Sequence, residues 1–256
     1  MRQALRNLLT KTPLYLPLRS LAGKIDAVQR SVWLVIKEPL LRLPLYFKIR
    51  SWNQTRKQPR ELSQWEQKGK PSPPPHVVKE RAIQEYAARF GIKTLVETGT
   101  LYGDMVEAMR SDFDQIYSIE LSERLYEIAK RRFSKVPAVT LIQGDSGVEL
   151  GNLVGKLSGP ALFWLDGHYS EGETAQGPKD TPIFEELEHI FSARRDGDVI
   201  LIDDARCFGT YPSYPTLDEL RKFILARKPR ALIAVVDDSI RIMPEEPTIT
   251  VSSVSP

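Results

Sequence analysis

Short β-branched runs alternate with helical patterns between Val77 and Met243, and this alternation restricts the fold more than any other feature. Strands separated by helices need crossover connections, which predicts a mostly parallel sheet with helices on both faces. Only Val236-Asp237-Asp238-Ser239 joins the last two runs, which is too short for a crossover and predicts a hairpin. We therefore expect a Rossmann-like α/β fold with a seven-stranded sheet and an antiparallel last strand. The predicted strands are Thr94–Glu97, Gln115–Glu120, Val139–Gln143, Ala161–Asp166, Val199–Asp203, Ala231–Val236 and Ile240–Met243.

Capping residues mark the helices between these strands. A helix over Val77–Phe90 should end at Gly91, since glycine accepts the left-handed conformation of a C-terminal cap. Ser122 should cap a helix over 123–133, and Thr216 should cap one over 217–227. Thr181-Pro182 is typical of an N-cap followed by proline at the first helical position.

Charge divides the chain into two unlike parts. Residues 1–70 contain 15 Lys and Arg against 4 Asp and Glu, whereas the remainder contains 21 against 29. Prolines interrupt the basic part, whose best helical pattern lies at about 20–37, and the run KGKPSPPP at 68–75 has the composition of a stiff linker. We expect a basic N-terminal helical extension at 1–70, a Pro-rich linker at 71–76 and the α/β domain at 77–256.

Neither an export signal nor a membrane-spanning segment is expected, because the longest uncharged run near the N-terminus, Thr12–Leu18, is short and lies among prolines. The single cysteine, Cys207, leaves no intrachain disulfide, which fits a reducing compartment and predicts a cytoplasmic protein. The basic extension could contact the anionic inner face of a membrane peripherally, cover the sheet, or help to form a homodimer. No recognition motif accompanies the charge, so nucleic acid is not an expected partner.

The first predicted strand ends in a glycine turn, VETGTLYGD, which contains Glu97, Gly99 and Gly103. These glycines permit a tight turn and a close approach of the backbone to a ligand. Their G-x-x-x-G spacing lacks the G-x-G-x-x-G of pyrophosphate binding, which argues against NAD(P). An incidental strand-to-helix turn is the alternative.

Polar residues also end the next two strands. Glu120, at the tip of the second strand, could accept hydrogen bonds from both hydroxyls of a cofactor ribose, or could be a solvated residue before a helix. After the third strand, Asp145 and Ser146 could face an adenine amino group, although Gly-Asp-Ser is also an ordinary helix cap.

Together these loops resemble those of class I S-adenosylmethionine-dependent methyltransferases, over roughly residues 80–243. The resemblance implies that S-adenosylmethionine is the cofactor. By position, Glu97, Gly99 and Gly103 match the glycine motif, Glu120 the ribose-binding acid, and Asp145 with Ser146 the adenine loop.

Acidic residues follow the fourth and fifth strands. Asp166 ends one, and Asp203 and Asp204 end the other. Three converging carboxylates repel one another unless a cation or protons compensate them, and hard oxygen ligands favour Mg²⁺, Ca²⁺ or Mn²⁺. The pattern resembles the metal-dependent macrocin-type O-methyltransferases, which implies that these acids bind Mg²⁺ and that the metal holds an acceptor hydroxyl. The alternatives are that the acid pair caps a loop, or that Arg206 supplies the counter-charge.

His168 stands two residues after Asp166, where the macrocin-type pattern has a second acid. The resemblance implies a general base there, and a structural hydrogen-bonding role is the alternative. The predicted function is metal-assisted O-methylation of a sugar or another small hydroxylated metabolite. Two alternatives stay open: a metal-independent N- or carboxyl-methyltransferase, and a non-catalytic cofactor-binding module with a basic membrane- or polymer-binding arm.

Overall fold

The computed structural model of the chain describes residues 39–41, 43–167 and 181–245. Within them, helices alternate with seven strands that form a single sheet. The helices are α1 (Pro44–Gln67), α2 (His76–Phe90), α3 (Asp104–Met109), α4 (Glu123–Phe133), α5 (Ser146–Val154), α6 (Ile183–Ser192) and α7 (Leu217–Arg227). The strands are β1 (Thr94–Thr98), β2 (Gln115–Glu120), β3 (Val139–Gln143), β4 (Leu162–Leu165), β5 (Val199–Ile202), β6 (Leu232–Val236) and β7 (Ser239–Met243).

The strand order is β3-β2-β1-β4-β5-β7-β6. The first five strands pair in parallel, whereas β7 lies antiparallel to both β5 and β6. This confirms the predicted seven-stranded, mostly parallel sheet with an antiparallel last strand. The order reverses between β1 and β4, and the crevice at such a switch point, outside the carboxyl ends of the strands, is where open α/β sheets bind ligands.

The central strands are buried on both faces. In β4 all four residues are buried, and they alternate between two cores, as the period of a strand requires. Phe163 and Leu165 belong to the core that residues of α5, α6 and α7 complete. Leu162 and Trp164 face the core that residues of α2, α3 and α4 complete. Because β1 to β5 run in parallel, their carboxyl ends lie at the same edge of this buried sheet.

The predicted caps are found with one correction. Gly91 ends α2 in the left-handed conformation, Ser122 caps α4, and Thr216 forms a capping box with Glu219 at α7. Pro182 is itself the N-cap of α6, so the helix begins one residue later than predicted. The β6–β7 hairpin turns through Asp237 and Asp238, which both have positive φ. A two-residue turn requires this conformation if it is to match the twist of the strands.

The long helix α1 differs from the expectation that prolines interrupt this segment. Pro44 instead starts the helix, at a position where a backbone amide would have no acceptor within the helix. Pro59 lies inside the helix. The chain divides into two compact units, Met1–Arg50 and Ser51–Pro256. Within the second unit Trp65 is buried against Val77 and Val78, and its indole nitrogen donates to the Pro71 carbonyl at 2.8 Å.

Two of the predictions fall on residues outside the described part of the chain: the helix at about 20–37 and the position of His168. Among the described helices, none has both the length and the apolar character needed to cross a membrane. The domain bounds, the membrane contact and the homodimer stay predictions.

An ion pair fixes the glycine turn that follows β1. Arg132 of α4 is 5% exposed and donates to an Asp104 carboxylate oxygen at 2.9 Å and to the Tyr102 carbonyl at 2.7 Å. Its other terminal nitrogen donates to the Ser51 hydroxyl at 3.0 Å, and Gln54 donates to Asp104 at 3.1 Å. One guanidinium thus joins α4, the glycine turn and the second unit's portion of α1.

We expect Arg132→Leu to destabilise the protein by about 3–5 kcal/mol, because it leaves the Asp104 carboxylate, only 12% exposed, without the Arg132 cation. The matched control is Arg131→Leu, since Arg131 is 51% exposed and reaches its partner Glu127 only at 3.9 Å. That variant should differ from wild type by less than about 0.5 kcal/mol. Urea unfolding measures both, and equal losses in the two variants would contradict the prediction.

Candidate active site

The glycines of the turn after β1 are required by neighbouring protein atoms. Gly99 has φ 86°, and a Cβ there would lie 2.4 Å from the carbonyl oxygen of Asp166. Gly103 has φ 76°, and a Cβ there would lie 2.4 Å from the Phe133 ring. Both positions therefore exclude a side chain, Gly99 because the turn lies against the loop that follows β4 and Gly103 because it lies against α4.

Glu97 is buried one residue before the end of β1. Its carboxylate accepts a short hydrogen bond from the Ser118 hydroxyl, which also contacts the Thr100 hydroxyl at 2.5 Å. Burial raises the pKa of Glu97 to about 8, and the Ser118 hydrogen bond opposes this shift only in part. At neutral pH the Glu97 carboxyl is therefore mostly protonated.

Glu120 ends β2 and binds the backbone of both the glycine turn and the N-cap of α4. One carboxylate oxygen accepts from the amide of Leu101 at 2.8 Å, and the other accepts from the amide of Ser122 at 2.9 Å. Burial raises its pKa, and the two amide hydrogen bonds counteract that effect. Each carboxylate oxygen has a second lone pair, so these bonds leave acceptor capacity for a ligand.

Asp145 and Ser146 stand where β3 leads into α5. Asp145 is the N-cap of this helix and accepts from the amide of Gly147 at 2.9 Å through Oδ1. Ser146 is the first residue of the helix and is buried. Asp145 therefore caps the helix, which was one of the two roles that the sequence allowed. This cap uses only one of its two carboxylate oxygens.

Asp166, Asp203 and Asp204 come together as the sequence predicted. One oxygen from each carboxylate can be chosen so that all three lie within 4.8 Å of one another. Asp203 and Asp204 can share this site because β5 ends at Ile202 and Asp204 takes a left-handed conformation with φ 57°, directly before a 3₁₀ turn over Ala205–Cys207. The chain therefore turns where two adjacent side chains need to face one point.

Lys79 of α2 inserts its ammonium group into this acidic cluster, a contact that the sequence pattern did not indicate. The ammonium forms a short ion pair with Asp203 and lies 3.9 Å from Asp204. Burial would lower the pKa of Lys79, but the three aspartates raise it above its usual value, so the lysine is charged. A cation supplied by a helix thus enters the candidate metal site.

A second cation reaches the cluster from the loop after β5. Arg206 donates to Asp204 at 2.8 Å and forms a short ion pair with Asp238 of the hairpin turn. The Asp238 carboxylate also accepts from the Arg206 amide at 2.8 Å, and its carbonyl accepts from Ala205 at 2.8 Å. Arg206 is therefore the counter-charge that the sequence suggested, and Asp238 anchors it.

Asp166 and Asp203 remain hard to ionise despite these cations. Burial and the neighbouring Asp203 raise the pKa of Asp166 well above its usual range, against the opposing effect of Lys79. Burial also raises the pKa of Asp203, although its contact with Lys79 lowers it. The site thus holds negative charge that protons or a further cation can compensate.

Comparisons with known proteins give structural likeness only. Neither a family of known proteins nor any curated protein matches the sequence. An O-methyltransferase from Bacillus cereus solved with SAH (S-adenosylhomocysteine) has 17% identity and a TM-score of 0.49, over 72% of this chain and 89% of that one. An O-methyltransferase of tomaymycin synthesis from Streptomyces achromogenes, solved with SAM (S-adenosylmethionine), has 16% identity and a TM-score of 0.48, over 72% and 88%. An SAH-bound methyltransferase from Podospora anserina has 18% identity and a TM-score of 0.48, over 73% and 88%.

We expect Glu97→Gln to flatten the loss of stability that wild type shows as the pH rises from about 4.5 to 8. The folded-state pKa of about 8 is above the ordinary 4.5, so the contribution of Glu97 is full below pH 4.5 and is lost as the pH rises towards and through 8. The difference should reach a few kcal/mol, because each tenfold change in proton affinity corresponds to about 1.4 kcal/mol. Chemical unfolding across this pH range measures it, with the exposed Glu123→Gln as control. Parallel curves for wild type and Glu97→Gln would contradict the assignment.

Proposed function

We propose that this chain is an S-adenosylmethionine-dependent methyltransferase that methylates a hydroxyl group of a sugar or another small metabolite, assisted by a divalent cation. The observation that carries the proposal is the meeting of two acidic groups at the switch point of a β3-β2-β1-β4-β5-β7-β6 sheet. Glu120 lies on one side of this point, and the Asp166, Asp203 and Asp204 cluster lies on the other. Glu120 would bind the cofactor, and the aspartate cluster would bind the acceptor.

We assign the cofactor-binding residues from their places in the fold. Glu120, already fixed by two backbone amides, would accept hydrogen bonds from the ribose hydroxyls. Asp145 and Ser146, at the start of α5, would face the adenine. The glycine turn after β1 is formed by Gly99 and Gly103 and is preceded by Glu97. Glu97 in its neutral form adds no negative charge beside Glu120.

The acidic cluster fits a divalent cation by charge as well as by ligand type. Three carboxylates and the Lys79 ammonium leave two negative charges, and the Arg206–Asp238 pair adds none. Carboxylate oxygens within 4.8 Å of one another are hard ligands that Mg²⁺ or Mn²⁺ accepts. Asp166, Asp203 and Asp204 would hold the ion.

The chemistry then depends mainly on positioning. S-adenosylmethionine supplies a methyl group on a sulfonium, and a bound Mg²⁺ would lower the pKa of the acceptor hydroxyl. The methyl group moves from sulfur to the acceptor oxygen in an in-line substitution, and the hydroxyl proton must leave. His168, outside the described residues, is the base that we propose for this proton.

A metal-independent methyltransferase is the second candidate, and Lys79 is the observation that favours it. With Lys79 on Asp203 and a proton on Asp166, the cluster retains only one net negative charge. Such a site would orient an acceptor nitrogen or carboxyl group through hydrogen bonds alone. A non-catalytic cofactor-binding module is the third, and turnover of any acceptor separates it from both enzymes.

Glu120→Ala should abolish most of the affinity for S-adenosylhomocysteine, because it removes two charge-assisted hydrogen bonds, each on the order of 1.5–3 kcal/mol. Calorimetric titration measures the change. The control is Glu123→Ala, which removes an exposed carboxylate three residues later. Equal affinity in wild type and Glu120→Ala would refute the ribose-binding role.

For metal assistance, we expect EDTA to abolish methyl transfer and Mg²⁺ or Mn²⁺ to restore it, with Asp166→Asn and Asp203→Asn inactive in either condition. His168→Ala should retain metal affinity and lower turnover by roughly 10²–10⁴-fold. A screen of hydroxylated acceptors with labelled cofactor provides the assay.

Lys79→Met separates the metal-dependent candidate from the metal-independent one. If a metal acts in the site, removal of the competing ammonium should tighten Mg²⁺ binding, since one more negative charge faces the ion. If Lys79 is the only cation required, the same variant should lose turnover and Mg²⁺ should not restore it. Full wild-type activity in excess EDTA would exclude the metal.

A further inference from the structure

Glu186 is a fully buried acid that the proposed reaction leaves without a role. It lies in the first turn of α6 with 0% of its surface exposed. Ile183, Leu187 and Ile190 of the same helix belong to the hydrophobic core. A carboxyl group among such neighbours has an apolar setting on its own helix, so its polar surroundings must come from other elements.

Those surroundings are the loops of the candidate cofactor site. The hydroxyls of Ser146, at the start of α5, and of Thr98, at the end of β1, face the Glu186 carboxyl. Thr98 Oγ1 also accepts from the amide of Gly167 at 3.2 Å. A Cβ on Gly167 would lie 3.1 Å from Thr98 Oγ1 and 3.3 Å from Ser146 Oγ. The Gly167 backbone and the two hydroxyls therefore lie close together. Glu186 thus lies next to Ser146 of the predicted adenine loop and next to Thr98, which contacts Gly167 after Asp166.

The protein groups around this carboxyl do not satisfy it. Within residues 39–41, 43–167 and 181–245, neither oxygen of Glu186 has a hydrogen-bond partner of good geometry. Burial raises its pKa to about 7, the Ser146 and Thr98 hydroxyls counteract this, and the nearby Asp145 and Glu185 add to the shift. A buried carboxyl without hydrogen bonds destabilises a fold, so stability does not explain its position.

We propose that Glu186 is a positioning residue of the cofactor site, which accepts hydrogen bonds from the Ser146 and Thr98 hydroxyls when the cofactor is bound. This inference rests on the proposed function, because only there is Ser146 a cofactor-binding residue. The Thr98 hydroxyl can donate to Glu186 while it accepts from Gly167, so one carboxyl would set the adenine loop and the Asp166 loop together. Cofactor binding then brings both hydroxyls into hydrogen-bond geometry with Glu186.

The test compares the stability of the protein alone with its cofactor affinity in two variants. Glu186→Leu keeps the approximate size but accepts no hydrogen bond, whereas Glu186→Gln keeps an acceptor oxygen. Without cofactor, we expect the melting temperature of Glu186→Leu to equal or exceed that of wild type, while its affinity for S-adenosylhomocysteine falls about tenfold or more. Glu186→Gln should stay within about threefold of wild-type affinity, since an amide oxygen still accepts.

Glu188→Leu is the matched control on the same helix. Glu188 is 54% exposed and pairs with Arg227 of α7 at 2.6 Å. The same substitution there should leave affinity unchanged. Melting curves and calorimetric titrations of all four proteins provide the two measurements.

The outcomes separate this inference from the function on which it rests. Wild-type affinity in Glu186→Leu overturns the positioning role and leaves the methyltransferase proposal intact. A fall of both melting temperature and affinity, in parallel in both Glu186 variants, assigns Glu186 to folding and also overturns it. If wild type does not bind S-adenosylhomocysteine, the proposed function fails, and the role of Glu186 fails with it.

Discussion

Mutual repulsion among Asp166, Asp203 and Asp204 is the constraint on which the arrangement of the site depends. Oxygens of the three carboxylates lie within 4.8 Å of one another at the ends of β4 and β5, where burial strengthens their interaction. Such a group persists only if cations or protons approach it from several directions. The two cations found there, Lys79 and Arg206, come from different parts of the sequence.

The antiparallel direction of β7 explains how one of these cations is held. Because β7 runs opposite to β5, with Ile240 paired to Ile202, the hairpin turn before β7 lies at the edge where β5 ends. Asp238 in that turn therefore reaches Arg206 and fixes its guanidinium beside Asp204. A parallel β7 would place its first residues at the opposite edge of the sheet. The hairpin that distinguishes this fold is thus also part of the site.

The order and type of the strands could be predicted because their information is local. Alternation, caps and the four-residue hairpin connection do not depend on distant residues, so the sheet and the meeting of Asp166, Asp203 and Asp204 followed. The helix α1 could not be predicted in this way, because Pro44 starts a helix as readily as it interrupts one. The predicted role of His168 falls on a residue outside the described ranges.

Lys79 and Glu186 were missed for a common reason, and one local signal could have found both. Lys79 stands four residues before Ile83 and seven before Tyr86, both of which are buried. Glu186 stands three residues after Ile183 and four before Ile190. Each charge thus lies on the apolar stripe of an amphipathic helix, where an uncompensated charge destabilises folding. The identity of the compensating group depends on which strand end the helix packs against, and only the fold supplies that.

The two residues also show how differently burial acts when a partner is present. Lys79 is paired with an opposite charge, so the aspartates outweigh desolvation and keep the ammonium charged. Among the described residues, hydroxyls but no cation face Glu186, so desolvation prevails and favours the neutral acid. The Lys79 contact needs no ligand, because the ammonium and the Asp203 carboxylate compensate each other. Glu186 leaves hydrogen-bonding capacity unused beside the predicted adenine loop, which is why we assign it to ligand binding and Lys79 to maintenance of the acidic cluster.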